Sequence, residues 1–537
     1  MNDQWNAMQL DQGKARITPV VLSLLAAFAA FFFYQYLALQ ATGGIFEYPL
    51  DDTYIHLAMS EQIAQGNYGI NAGEFSAASS SILFPFLLAP FAGLEFHRLM
   101  PLVFNILALG GSAILWGLVI RRAGLTGWAA IALALLGPLV LNIPGVAFYA
   151  MENALHTTFS LATLVGLLWF LDRPDKVNFL LVAGILISPL IRYESVGLSL
   201  LCCIALFIFG ARIAGAALAA LVISAQAGFA GFLSALGLEP LPNSVLIKLH
   251  EGVESSGGLF ADIIARFSEN TLHINGQVLL LLTVIALLFA AVPGLGARVK
   301  YRRLSLIVVA MGFGHLLIGR VHSQYDRYEN YALVFIFGAL IIVSAHLKQR
   351  AFSAIFLMMM CVIVSLHLPY KSDLLFNYTV KSPGAIHAQH RQMTRFAQDY
   401  LDAPVAVNDI GMVAYRNRNY TLDLWGLGSL QTLKVRFDDP AAGWAGDLVA
   451  EHDVRAVMVY ESWLKDGLDP DWIKIGTLQA RGISGIIGGT DVAFFAPKPE
   501  DVAFISDKLP AFIATLPARA SFHYSLDSQS SAAEVSQ

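Results

Sequence analysis

The sequence predicts a polytopic α-helical membrane protein of about eleven transmembrane helices, with re-entrant or juxtamembrane helices besides, followed by a C-terminal α/β extracytoplasmic domain. Three observations carry this. The 537 residues are 56% hydrophobic and only 14% charged, with mean hydropathy +0.60, where soluble domains carry about 25% charged residues. Uncharged apolar runs recur up to Pro369, and the first, residues 17–39, is long enough at about 1.5 Å per residue to cross a hydrocarbon core of about 30 Å. After Pro369 the composition turns polar, with short apolar runs of strand length.

Residues 1–16 read as a cytoplasmic N-terminus, held inside by Lys14 and Arg16. The run 17–39 exceeds the roughly 7–15 apolar residues of a cleaved signal and is followed by many more, so it reads as a retained anchor. Further apolar runs fall near residues 99–120, 125–143, 154–171, 178–194, 197–209, 211–233, 277–294, 304–320, 328–347 and 352–368. The shorter run 82–96 is expected to be a half-helix or re-entrant piece. With that choice Arg121 and Arg122, Arg173 and Lys176, Arg212, the group Arg298, Lys300, Arg302 and Arg303, and Lys348 with Arg350 all fall on the cytoplasmic side. The outer face then receives the loop 46–81, Glu152, residues 234–275, residues 320–327 and everything after Pro369. The transmembrane domain is 17–369. Residues 370–525 form the outer domain, with strands expected near 404–408, 455–460 and 491–496 and helices near 387–401 and 502–516, and 526–537 reads as a disordered tail.

The net charge of -5 and the lack of a long basic tract argue against nucleic-acid partners. Cys202, Cys203 and Cys361 lie in apolar runs, so the outer domain has no thiol for a disulfide, and no Cys/His spacing suggests zinc. No glycine-rich βαβ unit or Walker sequence calls for a nucleotide cofactor. No internal repeat supports an inverted-repeat transporter.

Chemistry gathers in the first outer loop, where Asp51 and Asp52 precede a helical stretch, Thr53 to Gln65, with an apolar side suited to the bilayer surface. One aspartate is enough to cap a helix. Two adjacent acids repel, which raises one pKa and prepares a general base, or they hold a divalent cation such as Mg, Mn or Ca. His56, one turn after Asp52, could support it or a metal, the plainer reading being a surface histidine. Glu152, Arg192, Glu194, Lys248 and Arg327 fall on the same face. Singly they read as a pair (Arg192 and Glu194), a helix start (Glu152) or snorkelling cations; together they supply acids and bases suited to a phosphate-bearing lipid substrate.

The blocks LDDTYIHLAMSEQIAQGNYGINAGE, AMENALH, IRYE, LPNSVLIK, DRYENY and VAVNDIGMVAYRNRNYTLDLWGLGS, in this order from about Phe46 to Ser429, resemble the GT-C superfamily of polytopic glycosyltransferases. Within it the pattern is similar to the mycobacterial terminal β-arabinofuranosyltransferases and their bacterial relatives. The resemblance implies an enzyme of the bacterial plasma membrane, multi-pass among membrane lipids. It would move a sugar, a pentose such as arabinofuranose among the options, from a polyprenyl-phosphate donor to a glycan, lipid or protein hydroxyl on the outer face. Asp51 or Asp52 would be the base, with Asp51 slightly preferred. Lys248, Arg192 and Arg327 would face the donor phosphate, Glu152, Glu194 and Glu74 would orient polar groups, and Tyr54, Asn243 and Tyr328 of the same blocks would line the substrate. Trp425, Trp444 and Trp463 are candidates for sugar stacking or for an aromatic core. The chain departs from the family by lacking a proline after Arg192 and by reading Ala77-Ala78-Ser79-Ser80-Ser81 where a Gly-Tyr-Thr-Ser-Pro-like stretch is usual, which bears on sugar and acceptor. The rival readings are a transporter or flippase of lipid-linked saccharides and a non-catalytic envelope-assembly protein.

Overall fold

A backbone in hydrocarbon must satisfy its own N–H and C=O groups, so long apolar runs fold as helices. In the computed structural model, which describes residues 2–250, 258–291, 299–321, 326–346, 368–438, 440–482 and 485–525, they do. Among the described residues six helices are long and apolar enough to cross a membrane: Thr18–Ala41, Glu95–Arg122, Asn153–Asp172, Arg212–Ala235, Ile274–Ala291 and Val299–Ile318. Four more apolar helices, Gly127–Val140, Phe179–Ile191, Ser195–Phe209 and Asn330–Ser344, fall short of the roughly 20 residues a single crossing needs. The expected span 352–368, the tail 526–537, and Arg298, Lys348, Arg350 and Cys361 lie outside the described residues. Residues 82–96 do not form one continuous helix. They break into Phe84–Leu88 and the single turns Ala89–Phe91 and Glu95–Leu99, because Pro90 removes a donor and Gly93, at φ 80°, turns the chain out of helical geometry.

The chain divides into two discontinuous compact units, residues 1–35, 101–227 and 253–375 in one, and 36–100, 228–252 and 376–537 in the other. The first is helical. At one of its ends Asp172 pairs with Arg122 at 3.0 Å and with Lys300, beside Tyr301 and His346. Three loops that the charge rule assigned to one side of the membrane therefore do meet.

The second unit joins the first loop to the C-terminal segment around a six-stranded sheet of order β2-β1-β3-β5-β4-β6. The strands are β1 Val405–Val407, β2 Thr421–Asp423, β3 Ala456–Val459, β4 Ile473–Ala480, β5 Asp491–Ala496 and β6 Ala520–Tyr524. β1 runs parallel to β2 and β3, and the remaining pairs are antiparallel. β1 and β3 are buried along their whole length, as their unbroken apolar sequences require, and β2 is buried too although it reads Thr-Leu-Asp. β1, β3 and β5 fall where the short apolar runs predicted them; β2, β4 and β6 carry weaker signals, since β4 reads IKIGTLQA and β6 ends exposed. Leu448, Val457, Trp472 and Phe495 belong to the core on one face of the sheet, with Trp444 packed against it. The chain leaves β1 toward β2 and leaves β3 toward β5 and β4. The carboxyl ends of β1 and β3 are therefore the place where the strand order switches, the usual crevice of an open α/β sheet.

Candidate functional site

Asp409 lies two residues past β1, at that switch point. Asn408 fixes the turn: its side chain donates to the Tyr460 carbonyl at 3.2 Å and accepts from the Tyr460 N–H at 3.1 Å, tying the ends of β1 and β3. Asp409 then meets His390 at 2.7 Å. Asp51 completes the group, its ligand atom lying with those of the other two within 4.8 Å of one another. Asp51 caps a helix, but a remote one. Its carboxylate leaves the first turn of Asp52–Ala64 uncapped and accepts from the N–H groups of Gly411 at 2.5 Å and Met412 at 2.8 Å, which open the short helix Gly411–Ala414.

The electrostatics follow from burial. Burial, reinforced by the Asp409 charge, holds the Asp51 carboxyl well above the usual range. Burial also opposes charge on Asp409, but the His390 imidazolium and the hydrogen bonds from His390 and Asp51 outweigh it and lower this carboxyl. His390 is raised for the matching reason: burial disfavours its charge, and Asp409, then Asp51 and Asp52, more than compensate. The trio therefore favours a proton on Asp51 and an ion pair between Asp409 and His390. Two carboxylates and an imidazole are also a donor set for a divalent transition ion, more than for Mg or Ca, which prefer all-oxygen ligands. A metal held here would use Asp51, His390 and Asp409 in place of the expected Asp51 and Asp52, and it would act as a Lewis acid on a bound oxygen. Asp52 is half-buried, unlike Asp51.

Several other expected residues of this unit bond to its own side chains and backbone. Residues 53–60 are buried on every face, so the helix Asp52–Ala64 is a core element and not one lying along a bilayer. A surface helix needs a polar face, and Thr53, His56 and Ser60 spend theirs internally. His56 is 2% exposed and bonds Ser79 at 3.0 Å, which corrects the surface-histidine reading. Tyr54 donates to Glu47 at 2.8 Å. Glu74 accepts from Asn71, which pairs with the backbone of Thr421. Asn243 donates to the carbonyls of Gly426 and Leu427 at 3.1 Å, in a turn wound around the buried Asp423, whose carboxyl burial pushes up to about 6. Lys248 is half-buried on the helix Asn243–His250. Of the three tryptophans, Trp425 has Arg436 3.4 Å from its ring centre and Trp463 beside it at 4.8 Å.

The helical unit collects the rest. Arg192, in the break between Phe179–Ile191 and Ser195–Phe209, donates to Glu152 at 2.7 Å and twice to Glu194 at 2.7 and 3.2 Å. It also lies over the Tyr328 ring at 5.1 Å, with Arg327 at 6.0 Å from the same ring. Five expected residues thus come together. Arg192, 3% exposed and engaged by two carboxylates, is shaped as an anchor for them, while Arg327 and Tyr328 are half-buried. Sequence reasoning missed the neighbouring network: His156 bonded to Ser195 and stacked on Tyr331, and Asp326 accepting from Asn142 and Asn275 and paired with Lys371. It also missed His390 and Asp409. The quoted block VAVNDIGMVAY contained Asp409, in the position just past a strand, which was the signal available.

Residues 383–495 match a family described as a domain of unknown function, DUF8728. The matched segment includes His390 and Asp409. No curated protein sequence matches the chain.

Proposed function

We propose that the chain is a GT-C-type membrane glycosyltransferase that moves a sugar from a polyprenyl-phosphate donor to a hydroxyl of a glycan, lipid or protein acceptor on the extracytoplasmic face. The observation that carries the proposal is the division of labour in the acid pair. Asp51 is buried, bonded to two backbone N–H groups and locked with Asp409 and His390, whereas Asp52 is half-exposed at the start of the same helix. A general base must reach the proton it removes, so the role falls to Asp52 and not to the initially preferred Asp51. Asp52 takes the acceptor proton as the anomeric carbon exchanges its phosphate for the acceptor oxygen, and cations hold the departing phosphate. Lys248, half-buried on the helix Asn243–His250 of the unit that carries Asp52, is the cation offered for that second task, whereas the donors of Arg192 are engaged by Glu152 and Glu194. Asp51, Asp409 and His390 position the helix that carries Asp52.

Transfer of labelled sugar by purified protein, with Asp52→Asn and Asp51→Asn made separately, tests this. Asp52→Asn is expected to slow transfer by about 10²–10⁴-fold with stability retained. Normal rates in both variants would remove the assignment. One observation favours a second reading, a transporter of lipid-linked saccharide: the ionisable network of Glu152, Arg192, Glu194 and His156 inside a helical unit. Movement of a labelled lipid-linked sugar across vesicles containing the protein, without any transfer product, would select it.

A further inference from the structure

The C-terminal unit contains a second polar feature that the catalytic proposal does not use. A cavity of about 290 Å³ is lined by four arginines, Arg98, Arg391, Arg395 and Arg416, together with Tyr54 and Gln398. None of Asp51, Asp52, His390 or Asp409 lines it. Four guanidiniums around one small volume repel one another unless anions compensate them. Glu47 accounts for two: it is buried, pairs with Arg98 and accepts from Arg391 at 3.0 Å. Burial opposes its charge, but the hydrogen bond from His387 and the charges of Arg98 and Arg391 outweigh that and keep it ionised. The Arg416 guanidinium lies 3.8 Å from Glu61, whose carboxylate also accepts from the Arg416 backbone N–H at 3.0 Å. Arg395 is bonded to neutral groups alone among the described residues: Gln392 at 2.7 Å, Tyr400 at 3.3 Å, and the Thr515 hydroxyl at 2.9 Å and carbonyl at 3.3 Å. With the exposed Asp399 on the rim, four cations face three carboxylates, and one positive charge is left over.

The same wall is apolar on its outside. Arg98 is carried by the turn Glu95–Leu99, and Arg416 donates to the Leu94 carbonyl at 3.0 Å. Leu94, Phe96 and Leu99 around them are 43–49% exposed. In sequence this turn is the start of the apolar helix Glu95–Arg122, long enough to cross a membrane. Guanidiniums bind phosphate oxygens in pairs of parallel hydrogen bonds. Exposed apolar side chains next to them suit the acyl end of the same ligand, and the cavity has room for a headgroup without its chains.

We infer that this four-arginine pocket binds a phosphate group, presented by the headgroup of an anionic membrane lipid. The pocket contains none of the acids of the cluster, although Met412, which donates to Asp51, also lines it, and the inference does not rest on the glycosyltransferase reading.

The test uses the full-length protein in detergent, stripped of lipid, with thermal unfolding and native mass spectrometry as readouts. The probes are short-chain phosphatidylglycerol, short-chain phosphatidylcholine and inorganic phosphate. Phosphatidylglycerol is expected to raise Tm by several degrees and to stay bound as single adducts, with phosphatidylcholine much weaker. Arg395→Gln with Arg416→Gln should weaken phosphatidylglycerol at least fivefold. Arg395→Lys, which keeps the charge and loses the fork, should fall between and provides the result if the double variant does not fold. Inorganic phosphate that gives the full shift and competes the lipid away supports the phosphate chemistry and overturns the lipid as its source. No shift with either, or equal shifts in the wild type and the variants, overturns the proposal.

Discussion

At the residue scale, adjacent aspartates acquire opposite characters from their surroundings. Asp51→Asn puts an amide N–H₂ opposite backbone donors at Gly411 or Met412. The lost hydrogen bond and the unpaired donor cost about 1–3 kcal/mol, so this variant should lower Tm, and by more than Asp52→Asn does. The trio also fixes a pH dependence. His390 is raised above its ordinary 6.5, so its contribution to stability is complete below 6.5 and is lost as pH rises through the folded value. Asp51, raised above 3.8, acts in the same direction from 3.8 upward. Asp409, lowered, acts oppositely: its contribution is present above 3.8 and is lost as pH falls through the folded value. Tm measured from pH 6 to 9 should therefore decline, and His390→Gln should flatten the decline; an unchanged slope would refute the ion pair. A divalent ion on this trio must displace the Asp51 and His390 protons, so Mn²⁺ binding followed by calorimetry in two buffers should release protons and tighten as pH rises.

At the scale of elements, the fold depends on close approaches that only small residues permit. A Cβ on Gly411 would lie 2.2 Å from the Asp51 carbonyl oxygen and 2.8 Å from its carboxylate. Both are backbone or bonded atoms with nowhere to move, so Gly411→Ala should separate the helix Gly411–Ala414 from Asp51, costing about 1–3 kcal/mol. Gly197, inside the helix Ser195–Phe209 with open space around it, is the control, and its replacement by Ala should leave Tm equal or slightly higher. Equal effects at the two positions would mean that the contact at Gly411 contributes nothing. Arg192 works at the same scale, holding the end of one helix to the starts of two others through Glu152 and Glu194. Arg192→Met takes the cation from the buried Glu152 and the half-buried Glu194, and losses of about 3–5 kcal/mol accompany the breaking of buried pairs. A large fall in Tm in detergent is the expected result.

At the scale of the molecule, the charge rule and the fold meet at Asp172. The rule places Arg122, Arg173 and Lys300 on the cytoplasmic side, and the helical unit brings Arg122 and Lys300 onto one carboxylate. Single cysteines introduced at Asp175 and at Asp491 should therefore label from opposite sides of intact cells, the second with impermeant reagent from outside; labelling of both from one side would overturn the assigned topology. The sequence by itself determined the apolar helical character and the places of β1, β3 and β5, and it singled out residues 51 and 52 as candidates, because hydropathy and charge act over short stretches of chain. Only the tertiary structure decided what those residues do. The partners of Asp51 are His390, Asp409 and the N–H groups of Gly411 and Met412, some 340–360 positions away. The acids that occupy Arg192 include one 40 residues earlier. The arginines of the four-arginine pocket come from three separate segments. Contacts of that span leave no periodicity in a sequence, since they are set by which surfaces pack and by which charges burial forces into pairs. The acid pair could be found by reading along the chain, but its division into a buried lock at Asp51 and a half-exposed partner at Asp52 required the fold.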